Sequence, residues 1–239
     1  MKAMIFAAGL GSRLKPWTDK HPKALAQVNG KSLLERNILY LQQYGIKEVV
    51  VNVHHFASQI IEAIETNDGW GSTIFISDES DEVLETGGGL KKAAHFFKDE
   101  EQLVIMNADI LTNMQLDQMI QQHKQTNALA TLAVSQRTTS RYFLFGDDSK
   151  LKGWKHEGTG EVKPAGLDTS GLHSRAFSGI HVVQQSLFAK IKQEGKFSMV
   201  DVYLDLCATE NIYCFDHTGA LLLDVGKPES LTKAASLFF

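Results

Sequence analysis

The segment Gly9-Leu-Gly-Ser-Arg13, with Lys23 close behind, follows the apolar run that ends at Ala8. Two glycines and a serine let the backbone turn tightly and aim N–H groups outward. Arg13 and Lys23 add two fixed positive charges. Free N–H donors and paired cations at a strand end suit a polyphosphate. For Gly-x-Gly alone, a solvated surface turn is an equal alternative. Acidic residues close two other apolar runs: Leu103-Val-Ile-Met-Asn-Ala-Asp109 and Leu221-Leu-Leu-Asp224-Val-Gly226. A carboxylate at the end of a buried strand is costly if unpaired. Two that converge repel each other unless a divalent cation lies between them, and Mg²⁺ suits a site of few carboxylates completed by water and phosphate. Either Asp alone reads more readily as a turn or N-cap residue. Finally, Glu82-Val-Leu-Glu85-Thr86-Gly87-Gly88-Gly89 opens a helix. Glycines there let a flat nucleobase approach the backbone; a flexible helix N-terminus is the alternative.

Two familiar phosphate motifs fail. A dinucleotide loop needs G-x-G-x-x-G, and Gly9 and Gly11 fit, but the third position is Leu14. A P-loop needs G-x-x-x-x-G-K-[ST]; Gly30-Lys31-Ser32 supplies its end, but the earlier glycine is Leu25.

These residues need elements to hold them, and strand and helix patterns alternate along the chain. Strands are expected at 2–8, 48–53, 72–77, 103–107 and 128–135, with helices at 32–44, 57–66, 89–97 and 115–125. This alternation predicts an α/β fold with a mostly parallel sheet covered on both faces. Short antiparallel strands and a Gly-rich loop are expected in an insertion at about residues 136–176. The earlier pattern then returns, with strands at 176–183, 212–215 and 220–225 and helices at 198–207 and 229–236. One domain spanning 1–239 is the simplest organisation. In open α/β sheets ligands bind at the carboxyl ends of the strands, where the residues above lie.

With 239 residues, 43% hydrophobic and 22% charged, the composition is that of an ordinary globular protein. A net charge of −4 provides no basic field for nucleic acid, so a polyphosphate must meet a local cluster plus metal. Cys207 and Cys214 lie in apolar stretches, consistent with a reduced compartment. No apolar run approaches the roughly 20 residues of a membrane span, and the N-terminus lacks a signal-peptide layout. A cytoplasmic protein with no membrane or nucleic-acid partner is expected.

Ala7-Ala-Gly-Leu-Gly-Ser-Arg-Leu14 followed by Pro22-Lys-Ala-Leu25 resembles the signature of the sugar-1-phosphate nucleotidyltransferases. Leu84-Glu-Thr-Gly-Gly-Gly89, Asn107-Ala-Asp109, Phe177-Ser-Gly-Ile180 and Asp224-Val-Gly226 match later blocks in the same order. The Leu-Glu-Thr-Gly-Gly-Gly form is similar to the N-acetylmuramic acid 1-phosphate uridylyltransferases of cell-wall recycling. The resemblance implies a three-layer α/β/α sandwich with a mostly parallel mixed sheet. It implies that a sugar 1-phosphate oxygen attacks the α-phosphorus of a nucleoside triphosphate, UTP in that subfamily, and pyrophosphate leaves. By position, Ala7, Ala8 and Gly9 would contact the nucleoside, and Gly11, Ser12 and Arg13 would wrap the triphosphate. Lys23 would hold the phosphates near the reacting one, and Arg13 would meet charge on the leaving pyrophosphate. Glu85, Thr86 and Gly88 would border base and sugar, with Gly179 at the sugar site; His181, two residues on along the same strand, is placed near that site, with simple core packing an equal alternative. Asp109 and Asp224 would bind Mg²⁺. Two departures stand out: Ala108 replaces the family's usual Gly, and Glu161-Val-Lys163-Pro164 is one residue out of register with a sugar-phosphate Lys motif. A mannose-, glucose- or choline-phosphate enzyme, or a noncatalytic sugar-nucleotide-binding subunit, remains an alternative.

Overall fold

Successive side chains of a strand face opposite sides of a sheet, and here both sides are apolar. In the computed structural model, which describes residues 1–238, Ala3 and Ile5 of β1 (Ala3–Phe6) join one core while Met4 and Phe6 join another. The same division runs through β4 (Glu48–Val53), where Val49, Val51 and Val53 face one way and Val50 the other. A strand buried on both faces needs helices on both. The first core is closed by α1 (Leu33–Gln43), α2 (Ala57–Thr66) and α4 (Leu116–Gln125). The second is closed by α3 (Glu85–Lys92) and α5 (Met199–Leu206). Three layers result.

Between these elements run β2 (Gln27–Val28), β3 (Lys31–Ser32), β5 (Thr73–Asp78), β6 (Gln102–Asn107), β7 (Ile110–Thr112) and β8 (Ala130–Ser135). The remainder holds β9 (Arg141–Phe145), β10 (Leu151–His156), β11 (Val162–Lys163), β12 (His173–Gln184), β13 (Ile212–Asp216), β14 (Leu222–Asp224) and α6 (Pro228–Leu237). The main sheet has 10 strands, with β11-β10-β9-β12-β6-β1-β4-β5 as its path and β8 and β13 branching from β12. β6, β1, β4 and β5 are mutually parallel, whereas β12 is antiparallel to β6 and to β8. The sheet is therefore mixed. Segment 136–176 carries β9, β10 and β11, antiparallel strands that extend the sheet beyond β12.

The alternation read from the sequence holds, with three informative differences. β1 ends at Phe6 rather than Ala8, because the Ala7 amide leaves the ladder for the Asn52 side chain. β12 is longer than expected and starts at His173. The third helix begins at Glu85, so Gly87, Gly88 and Gly89 lie inside it rather than in a turn before it. All three glycines are buried. A Cβ on Gly87 would strike the Phe197 ring, and one on Gly88 would strike the Gly195 carbonyl oxygen. Gly87 and Gly88 let α3 pack against the segment that precedes α5, while a Cβ on Gly89 would meet Glu79 and Asn52.

Candidate active site

The strand ends converge on a cavity of about 470 Å³. It is lined by Ala7, Ala8, Gly9, Gly11, Ser12 and Arg13 of the loop after β1, by Lys23 and Asp109, and by Glu85 and Thr86 at the start of α3. The loop after β1 tightens at Gly11, whose φ of +61° favours glycine. A Cβ there would also lie 2.8 Å from Thr18 Cγ2 and 2.9 Å from Lys23 Cβ, so Gly11 lets the loop close onto Lys23. Thr18 Oγ1 donates to the Gly11 carbonyl at 3.0 Å. Leu14 anchors the loop beneath, in a small core with Leu33, Leu111, Val225 and Ala234.

β7 and β14 were not both legible in the sequence, and their pairing brings the two acidic strand ends together. Asp224 stands opposite Ile110 in an antiparallel ribbon, and the Val225 amide donates to the Asp109 carbonyl at 2.8 Å. Lys23 Nζ forms an ion pair with Asp109, and Arg13 Nη2 lies 3.8 Å from Asp224 Oδ2. Burial, and after it the facing Asp109, pushes the Asp224 carboxyl above the usual carboxylate range, although 43% of its side chain is accessible. Among the described residues no group of three or more His, Cys, Asp or Glu side chains gathers to hold a metal. Two carboxylates brought together beside an open cavity fit a hard cation whose other ligands are water and phosphate. Zinc, which favours nitrogen and sulfur ligands, fits poorly.

Ala108 substitutes for glycine without strain. Its φ is not positive, its amide donates to the Phe6 carbonyl at 3.0 Å, and its carbonyl accepts Asn37 Nδ2 at 2.8 Å. Glu85 does carry a left-handed backbone, φ +58°. A non-glycine residue in that region stores strain, which collects at functional sites. Thr86 Oγ1 accepts the Met199 amide at 2.9 Å and so ties α3 to α5.

Other expected site residues lie elsewhere. Gly88 is buried within α3 and does not line the cavity. Gly179, φ +73°, sits behind it, where a Cβ would meet Asn107 Nδ2 at 2.8 Å. His181 is 2% exposed, pairs through Nδ1 with the Tyr203 hydroxyl at 2.5 Å and packs against Phe177. Burial pulls its pKa down to about 3, so it is a neutral core histidine in this arrangement. Lys163 lies 4.0 Å from Asp201 and 5.5 Å from the Trp154 ring centroid, outside the cavity lining. Sequence reasoning missed Asn52, Glu79, Asn107 and Ser198, all of which line the cavity. Asn52 carried a signal: a carboxamide inside the β-branched run Val49–Val53.

A family model described as nucleotidyl transferase matches residues 2–238. N-acetylmuramate alpha-1-phosphate uridylyltransferase of Neisseria meningitidis serogroup B is 29% identical, over 99% of this chain and 98% of that protein. D-glycero-alpha-D-manno-heptose 1-phosphate guanylyltransferase of Aneurinibacillus thermoaerophilus is also 29% identical, over 98% and 96%. The solved structure of UDP-glucose pyrophosphorylase from Acinetobacter baumannii superimposes with a TM-score of 0.79 at 16% identity, covering 99% of this chain and 92% of that one.

Proposed function

Because the chain belongs to the nucleotidyl transferase family, we propose that it joins the nucleoside monophosphate of a triphosphate to a sugar 1-phosphate and releases pyrophosphate. The observation that carries this reading is the arrangement of Arg13, Lys23, Asp109 and Asp224 where the β1 loop meets the β7–β14 ribbon. Those cations are placed to neutralise charge on a triphosphate. A phosphate monoester dianion is already a nucleophile, so the reaction asks for alignment and charge neutralisation more than for a proton-transfer residue. The Ala7–Gly11 loop holds nucleoside and phosphates, Lys23 steadies the α-phosphoryl oxygens, and Arg13 meets charge accumulating on the leaving pyrophosphate. Asp109 and Asp224 would hold Mg²⁺, which supplies charge neutralisation to the phosphates when bound.

N-acetylmuramic acid 1-phosphate with UTP is the substrate pair we favour. The Leu84-Glu-Thr-Gly-Gly-Gly89 form and the full-length similarity to an N-acetylmuramate alpha-1-phosphate uridylyltransferase support it. An equally similar heptose 1-phosphate guanylyltransferase supports GTP as the second choice of nucleotide. The test crosses UTP, GTP, CTP and dTTP with N-acetylmuramic acid, mannose, glucose and heptose 1-phosphates in Mg²⁺ and follows pyrophosphate. Release with UTP and N-acetylmuramic acid 1-phosphate above the other pairs is expected. Binding of triphosphate with no pyrophosphate from any pair would replace the enzyme reading with a noncatalytic sugar-nucleotide-binding protein.

A further inference from the structure

Asn52, near the carboxyl end of β4, is 2% exposed and uses both ends of its carboxamide. Its Oδ1 accepts the Ala7 amide at 2.7 Å and its Nδ2 donates to Glu79 Oε1 at 2.7 Å. A backbone N–H can only donate, so Ala7 dictates which end of the carboxamide is oxygen, and the other end must then find an acceptor. Glu79 is that acceptor. Its second oxygen takes the Leu84 amide at 3.3 Å. Its backbone is pinned as well: the Glu79 amide donates to the Val53 carbonyl at 2.8 Å, and His54 Nδ1 donates to the Glu79 carbonyl at 2.6 Å. Gly89 makes room for the pair, since a Cβ there would lie 2.6 Å from Glu79 Oε1 and 3.0 Å from Asn52 Nδ2. A fully buried carboxyl is expensive, and burial does push Glu79 above the usual carboxylate range against the pull of the Asn52 and Leu84 donors.

The chain of bonds runs from the β1 loop, through Asn52 and Glu79, to Leu84, the residue immediately before α3. It therefore joins two walls of the cavity that are far apart in sequence. We propose that Asn52 and Glu79 are positioning residues that hold Ala7 and the start of α3 in one fixed relation, so that the nucleoside meets a preformed pocket. The nucleoside part of this proposal rests on the function proposed above; the hydrogen-bond relay does not.

Reversing the polarity of the relay tests it. Asn52→Asp sets two carboxyl groups oxygen to oxygen. Glu79→Gln turns its amide nitrogen toward either the Asn52 or the Leu84 donor. The double variant Asn52→Asp/Glu79→Gln satisfies every bond again: the carboxylate at 52 accepts from Ala7 and from the amide at 79, whose oxygen accepts from Leu84. Hydrogen exchange of the Ala7 amide in the free protein is the first readout, and KM against kcat for the triphosphate is the second. Each single variant keeps an acceptor for Ala7 but mispairs position 79 with position 52 or with the Leu84 amide; by loosening the hold on that acceptor it is expected to speed Ala7 exchange by about 10-fold, the effect of weakening one buried hydrogen bond, and to raise KM more than it lowers kcat. The double variant should return both toward the parent. Ala7 exchange unchanged in the single variants, or a double variant no better than the worse single, overturns the proposal. The expected exchange pattern in a protein that transfers no nucleotide supports the relay and overturns the reaction instead.

Discussion

Lys23 with Asp109 and Arg13 with Asp224 make the free site a set of internal counterions. On the proposed function a triphosphate would have to draw the cations away from the carboxylates, and a divalent ion would ease this by occupying those carboxylates. Triphosphate affinity measured by calorimetry is therefore expected to be higher with Mg²⁺ than with EDTA, and equal affinities would remove the metal assignment. Asp109→Ala and Asp224→Ala should each lower Mg²⁺-dependent pyrophosphate release by at least about 10²–10³-fold, the usual effect of losing one charge-stabilising group. Circular dichroism should show both variants folded. Two core histidines act on stability rather than chemistry. Burial holds His181 at about 3 and His123 at about 4. In the unfolded chain both take a proton near 6.5. Their contribution to folding is thus complete above about pH 6.5 and declines as pH falls toward those folded values, by up to about 1.4 kcal/mol per pH unit for each. Thermal unfolding between pH 7 and 5 should show this fall, and His123→Gln should flatten it.

At the scale of elements, α3 shows what the sequence could and could not convey. Alternating apolar runs made β4, β6, α1, α2 and α4 legible, because burial on one or both faces leaves a direct periodicity. Asp109 and Asp224 were legible as strand-end acids, but the ribbon that joins them was not. β14 falls within the strand expected at 220–225, but β7, three residues long, leaves no periodicity to read, and nothing in the sequence pairs two strands so far apart. The glycine run was visible, yet its use depends on Phe197 and Gly195, which approach α3 only through the tertiary fold. Gly88→Ala should accordingly cost stability, about 1–3 kcal/mol, because a backbone carbonyl cannot move aside as a side chain can. Gly9 has nothing within 4 Å of its absent Cβ. Gly9→Ala should unfold at the parent temperature while its turnover drops, since the new methyl group enters the cavity. Differential scanning calorimetry beside a pyrophosphate assay separates the two; an unaffected melting point in Gly88→Ala would refute the packing role.

Across the whole molecule, a parallel core supplies the strand ends, and an antiparallel extension from β12 to β11 stands beside them. The fold reads from the sequence because its layers repeat; the site reads only in part because its members come from every region of the chain. The β7–β14 ribbon has a temporal consequence. A ribosome delivers residues in order, and the loop after β1, Asn52, Glu79 and Asp109 all emerge well before Asp224. Val225, packed under Leu14, emerges later still. A nascent chain can therefore fold much of its sheet while its carboxylate pair is still single, and the pair is completed only once the β14 segment has been made and has paired with β7.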